Sequence, residues 1–322
     1  MHLKPQAITE GIATAAAAVV LSLLSLHFPL MIFFYLLSAL PIAVLAVRQR
    51  LAAAVTASLG AMALLAAIVG VGAGISFALY FLLVGCALGY GLSKGADGFR
   101  RIGLGYFGCL VFLIGLMIIY QAVTGHAFVQ VFFRQMQTAT AQWLKVYAAA
   151  GHYSAAQIGR TVKVFGQALV QMKRDFPTMV LLIPFGISWI LNLLLDLILA
   201  RLQIAQPRVL PLSHWRLPKS LRDFLFIVLM GLLVAQLAGA GSNLYVLTLM
   251  GITTFVYGLM GLSFCFWFFN RRLPRESMGR KTVIVLIVMV VPSSLSILSI
   301  LGVLDAYTPL RLRIILREGK RR

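Results

Sequence analysis

The stretch that decides the fold is Leu40–Leu64, "LPIAVLAVRQRLAAAVTASLGAMAL". Two apolar runs meet at Arg48-Gln49-Arg50. An arginine at the middle of a membrane helix costs about 2.5–3.5 kcal/mol on insertion scales, so a membrane chain places these cations in a turn between two helices. Positive charge in a short loop marks the cytoplasmic side. The run therefore reads as helix, short cytoplasmic turn, helix, and the pattern extends in both directions.

Of the 322 residues, 61% are apolar and 11% charged. Soluble domains carry about 25% charged residues. Apolar segments fall at 8–26, 28–47, 51–72, 74–93, 102–123, 178–200, 222–239, 243–269 and 282–304. At 1.5 Å per residue each can cross a hydrocarbon core about 30 Å thick. They must be helices, because an open strand leaves backbone groups unpaired in lipid. The fold class is thus all-α, a polytopic membrane bundle of about eight to nine transmembrane helices. The N-terminal "MHLKPQAITEG" reads as the start of a retained first helix, since no clear cleavage site follows it.

The net charge of +20 sits in short clusters between the apolar runs. This distribution suits loops that set orientation and not a nucleic-acid face, so no nucleic-acid partner is expected. Lys94, Arg100 and Arg101 occupy one loop; Arg201, Arg208, Arg216, Lys219 and Arg222 another; Arg271, Arg272, Arg275, Arg280 and Lys281 a third. The alternate short loops "LHFPL", "GVGAG" and "GAGSN" hold no Lys or Arg. The expected setting is a bacterial cytoplasmic (inner) membrane, with the N-terminus inside. The last run, 282–304, is preferred as a simple span. That places Arg311, Arg313, Arg317, Lys320, Arg321 and Arg322 outside, against the charge bias. A re-entrant turn at Pro292-Ser293-Ser294 is the alternative.

Residues 124–177 form a long outer connection. Phe128, Phe132, Met136, Trp143 and Tyr147 recur at mostly helical spacing, as do Ile158, Val162, Phe165, Leu169 and Met172. Ser154 with Gln157 makes a capping box at the second start. The expectation is an amphipathic helical hairpin on or over the outer face, as a brace or as a lid. The expected divisions are a six-helix block over 1–202 containing this hairpin, a linker over 203–221 with Pro207, Pro211 and Pro218, and C-terminal helices with a basic tail over 222–322.

Small residues at four-residue spacing, Ala13 with Ala17, Ala53 with Ala57 and Ala61, and Gly85 with Gly89, permit close helix contact. Asp196 is the one carboxylate inside an apolar run, with Asn192 a helical turn away and Trp189 on the same face. This trio is a candidate polar site; pairing of Asp196 near the cytoplasmic edge is the plainer account. Glu10 suits the first helix's dipole. The three cysteines and five histidines show no ligand spacing, and the P-loop and HExxH motifs are absent. No catalytic residue, metal site or cofactor is expected, and the chain reads as a non-enzyme.

The Leu40–Leu64 stretch, followed by "GCALGYGLSKG", resembles the substrate-binding S-components of energy-coupling-factor transporters over about residues 5–200. The Ala13/Ala17 strip is similar to the alanine motif by which S-components dock their membrane partner. The whole chain looks more like the YybS-like bacterial membrane proteins, distantly related to S-components, whose ending the tail "LGVLDAYTPLRLRI" resembles. The resemblance implies a small-molecule binding or uptake subunit working with separate coupling and ATPase subunits. The outer insert and the three extra helices depart from S-components. They leave open a second role, a non-transporting scaffold or cell-envelope biogenesis factor holding a protein partner. The lipid bilayer is a partner in either case.

Overall fold

The computed structural model describes residues 5–27, 32–149, 155–205, 207, 209–272, 295–308, 310, 311 and 314. The described residues are helices and connections, with no strand among them. In chain order the helices are α1 (Pro5–His27), α2 (Ile32–Leu37), α3 (Ala39–Arg48), α4 (Leu51–Val69), α5 (Val71–Ser93), α6 (Gly98–Thr124), α7 (Phe128–Ala149), α8 (Ala155–Arg201), α9 (Lys219–Leu237), α10 (Leu244–Arg272) and α11 (Leu295–Tyr307). Seven are long and apolar enough to cross a membrane; Phe33–Arg48 and Leu295–Tyr307 are shorter apolar helices. The chain is an all-α polytopic membrane bundle. It divides into two compact units, Met1–Lys173 with Met179–Val209, and Arg174–Thr178 with Leu210–Arg322.

In the first unit the Arg48-Gln49-Arg50 turn closes α3 onto α4. Gln49 N–H donates to Leu45 O at 2.9 Å, and Arg50 takes a φ of 141° that side chains rarely adopt. The turn is tied to α1 through Glu10, whose carboxylate meets Arg48 at 2.7 Å and accepts from Gln49 Nε2 at 2.9 Å. The core is apolar, with Ala18, Ile42, Ala43, Ala54, Ala61, Phe81 and Leu88 fully buried. The Gly85/Gly89 pair serves internal packing. A Cβ at Gly85 would meet Ala39 O at 3.0 Å, and one at Gly89 would strike Ala46 Cβ and Ala43 O. Only glycine lets α5 approach α3 this closely. The middle turn of α5, Phe81–Gly85, is wound as a π-helix. Its Leu83 carbonyl occupies the place where a side chain at Gly108 of α6 would stand.

Helix α8 runs unbroken for 47 residues, about 70 Å at the α-helical rise. The sequence suggested an arm and a separate span, parted near Lys173–Pro177; the structure joins them. A proline's missing donor is tolerated in membrane helices when neighbours supply other contacts. The rod is about twice the hydrocarbon thickness, so roughly half lies outside lipid. The N-terminal half carries Arg160, Lys163, Lys173, Arg174 and Asp175, and it is the half that stays in water. The capping Ser154, the tip at His152 and the side chain of Tyr147 lie outside the described residues.

In the second unit, α9 and α10 are joined by a short connection through the 3-10 turn Ala240–Ser242 and run antiparallel. Helix α10 therefore heads back toward the start of α9. Tyr257 Oη donates to Arg222 O at 3.1 Å. Helices α10 and α11 touch backbone to backbone, because a Cβ at Gly261 would strike Leu298 O and one at Gly302 would strike Tyr257 O. The end of α11 also returns to α9's start. Tyr307 Oη donates to Arg222 O at 3.1 Å, and Arg222 Nη1 donates to Ala306 O at 3.1 Å.

Of the run 282–304, for which a simple span is preferred, residues 282–294 lie outside the described residues. Its described part, α11, ends beside the start of α9. The polar groups of Arg222, Asp223 and Tyr307 hold it there: Tyr307 Oη also reaches Asp223 Oδ1 at 3.2 Å, and the Arg222 guanidinium lies 4.6 Å over the Tyr307 ring. The turn at Pro292-Ser293-Ser294 lies outside the described residues.

Candidate functional site

Helix α6 begins with Asp97, whose side chain accepts from Arg100 N–H at 2.9 Å, satisfying a free donor of the first turn. This cap fixes the helix start four residues before Arg101 and turns that side chain inward. Arg101 is 0% exposed, which corrects its reading as a loop cation. Its guanidinium donates through Nη2 to Asp196 Oδ1 at 2.6 Å and through Nη1 to Pro207 O at 2.6 Å. Asp196 uses its other oxygen, Oδ2, to accept from Val209 N–H at 2.9 Å. One ion pair thus grips both a carbonyl and an amide of the segment that follows α8.

Asp196 ends a polar column on one face of α8. Ser188, Asn192 and Asp196 are spaced by four, so they stack at successive turns. Ser188 Oγ donates to Ile102 O at 2.8 Å, and Asn192 Nδ2 donates to Ser188 O at 2.9 Å. A side chain at Gly105 of α6 would collide with Ser188 Oγ. The Asn192 amide orientation is set by Ser188 O, which can only accept, and so its own Oδ1 is left facing elsewhere. Asn192 Oδ1 and Arg101 Nε are buried without a hydrogen-bond partner among the described residues. One buried acceptor and one buried donor are thus left over among the residues of the column and its ion pair. Trp189, half-buried, lies beside the column on α8.

The second unit repeats this chemistry with different residues. Arg311, read from sequence as a tail cation, is 5% exposed. Its Nε and Nη2 form a fork on Asp305, at 3.0 and 2.7 Å from Oδ2. Nη1 donates to Ser213 O at 2.9 Å, and Nη2 to Ser263 Oγ at 3.1 Å. The guanidinium lies 5.7 Å from the Trp267 ring centroid and 6.0 Å from that of Phe264. Ser263 Oγ in turn donates to Trp215 O at 3.0 Å, and Trp215 Nε1 donates to Leu210 O at 2.9 Å. The linker 203–221 is thus anchored at several of its residues. Val209 in the first unit, and Leu212, Ser213 and Trp215 in the second, are buried. No spacing signal could have joined Arg101 to Asp196 or Arg311 to Ser213; only the unusual "DGFRR" cap hinted that Arg101 begins a helix.

On α1, Ala13 and Ala17 face outward together with Ala16, flanked by Ile12 at 66% and Val20 at 55% exposure. Ala15, Ala18, Val19 and Ser22 face the core. Ala57 and Ala61 of α4 are buried, so that strip packs internally. Among the described residues no group of three or more His, Cys, Asp or Glu could hold a metal ion.

A family model described as Predicted membrane protein (DUF2232) matches residues 16–306. No curated protein and no solved structure matches the chain.

Proposed function

We propose, from the premise that the chain belongs to the DUF2232 family of predicted membrane proteins, that it is a non-enzymatic subunit acting through a membrane protein docked on α1. The observation that carries this reading is the division of α1 into two faces. Ala15, Ala18, Val19 and Ser22 pack inward. Ala13, Ala16 and Ala17 are left on the outside, where small residues let a second helix approach closely. The similarity of Ala13/Ala17 to the S-component docking motif supports a coupling protein as that partner. A small polar molecule, met by the spare Arg101 and Asn192 groups, would be the ligand, and a separate ATPase would supply the energy.

In this reading the membrane is the bacterial cytoplasmic membrane and the N-terminus is cytoplasmic. The cations at Arg48, Arg50, Lys94, Arg271 and Arg272 support that orientation. The second reading, a scaffold or envelope biogenesis factor, is favoured by the α7–α8 hairpin and the second unit, which extend beyond an S-component-like core. Affinity isolation from mild detergent discriminates the two. Co-isolation of an ATPase pair supports uptake, co-isolation of envelope machinery supports the scaffold, and isolation of the chain alone overturns both. Ala17→Leu should lower partner recovery about tenfold or more, since overpacking a close contact costs about 1–3 kcal/mol.

A further inference from the structure

The two turns that bound α4 share one backbone conformation. Gly70, at the turn into α5, has φ 114° and ψ 159°; Arg50, at the turn from α3, has φ 141° and ψ 160°. This region is open almost only to glycine, which has no Cβ to crowd the neighbouring peptide groups. The sequence thus places glycine at one end of α4 and arginine at the other, in the same strained shape. Arg50 gains nothing from its place at the helix start. Its side chain is exposed and makes no cap hydrogen bond, and a cation there opposes the helix dipole. Its carbonyl accepts from Ala53 N–H at 3.1 Å, a role that glycine would fill as well.

What holds the turn comes from another helix. Glu10 of α1 meets Arg48 Nη2 through one carboxylate oxygen at 2.7 Å and accepts from Gln49 Nε2 through the other at 2.9 Å. The two residues that it grips directly precede the strained one. Both members of the ion pair are partly open to solvent, Glu10 at 38% and Arg48 at 44%. An open ion pair and one hydrogen bond together shift a population by a factor of about 2–70. The strain at Arg50 shifts it by about 5–150 in the opposite direction. The two effects are of the same order, so loss of the Glu10 contacts is enough to tip the turn.

We propose that the Arg48–Arg50 turn is a spring-loaded latch. Glu10 holds it in the strained shape; when Glu10 lets go, Arg50 relaxes to negative φ and the start of α4 shifts relative to α1. Glu10, Ala13 and Ala17 are spaced by three and four residues and so share one side of α1. A partner helix seated on the alanines borders Glu10, and a cation on that helix competes with Arg48 for the carboxylate. Docking on α1 is thereby felt at the turn between α3 and α4. That link rests on the docking proposed above; the latch itself does not.

The test uses the full-length protein in nanodiscs, with Cys86, Cys109 and Cys265 replaced and spin labels at Ile8 of α1 and Ala52 of α4, both exposed. Pulsed dipolar spectroscopy reads the distance between the labels. The unaltered turn should give one main distance. Glu10→Ala should raise a second distance population about tenfold, the middle of the range set by the two lost contacts. Adding Arg50→Gly to Glu10→Ala should restore the main distance, because the strain that drives the change is gone. Arg50→Gly alone should keep the main distance. A single unchanged distance in Glu10→Ala would overturn the latch. A second population that persists when Arg50→Gly is added would overturn the part played by strain at Arg50. The discs hold no partner, so this outcome is separate from that of the α1 docking contact.

Discussion

Arg101 Nη2 stands 2.6 Å from Asp196 Oδ1, joining residues 95 positions apart. The pair is closed off from solvent, with the arginine side chain 0% and the aspartate side chain 13% exposed. Removing one partner strands the other's charge, which costs about 3–5 kcal/mol in buried pairs. Arg101→Ala and Asp196→Ala are therefore each expected to destabilise the protein by about that amount. The double variant Arg101→Leu/Asp196→Leu should be closer to wild type than either single change. Unfolding titrations in mixed micelles read this directly. Equal losses in the double and the sum of the singles would show that the two groups act independently.

Arg311 makes a planar fork on Asp305 and also reaches Ser213 O and Ser263 Oγ. A lysine keeps the charge but has neither the fork nor the stacking plane. Arg311→Lys should lose about 1.5–3 kcal/mol, the contribution of a hydrogen bond to a charged group. Protease susceptibility of the 210–218 stretch is expected to rise in step. A stability within about 0.5 kcal/mol of wild type would mean that charge alone holds the segment.

The α10–α11 contact sets up a contrast between two glycines. At Gly302 a Cβ would strike Tyr257 O, whereas at Gly231 of α9 it meets nothing within 4 Å. Gly302→Ala should cost about 1–3 kcal/mol through forced separation of the helices. Gly231→Ala should be neutral or stabilising by up to about 1 kcal/mol. Thermal shift assays of the two variants side by side check the difference.

Tyr307 is held beside Arg222 at the start of α9. A reporter fused after Arg322 should report the same side of the membrane as one inserted between Gln203 and Gln206. With the orientation proposed above, both give cytoplasmic fluorescence without external phosphatase activity. Opposite results at the two positions would mean that 282–304 crosses the membrane once.

Much of the architecture was legible because membrane helices advertise themselves by length and charge. The Arg48–Arg50 turn, the Gly85/Gly89 contact and the four-residue spacing of Asn192 and Asp196 could be read locally. Arg101 and Arg311 could not. Their sequence neighbourhoods, "GFRR" and "LRLR", look like loop and tail cations, and what buries them is a carboxylate and carbonyls brought in by the fold. Arg101 and Asp196 stand far apart in sequence, a separation over which spacing carries no signal. The continuity of α8 was hidden for a different reason. Lys173, Arg174, Asp175 and Pro177 look like a break, but a proline removes a single donor and the helix persists through it.

The proposed function requires α1 to present one face to a membrane protein partner. A photo-crosslinking amino acid placed in turn at Ala13, Ala17, Ala15 and Ala18 in cells tests it most directly. Ala13 and Ala17 are exposed, while Ala15 and Ala18 are 8% and 0% exposed. A discrete crosslink to a second polypeptide is expected from positions 13 and 17, and only intramolecular products from 15 and 18. Crosslinking to lipid alone at 13 and 17, or the same polypeptide captured at all four positions, would contradict it.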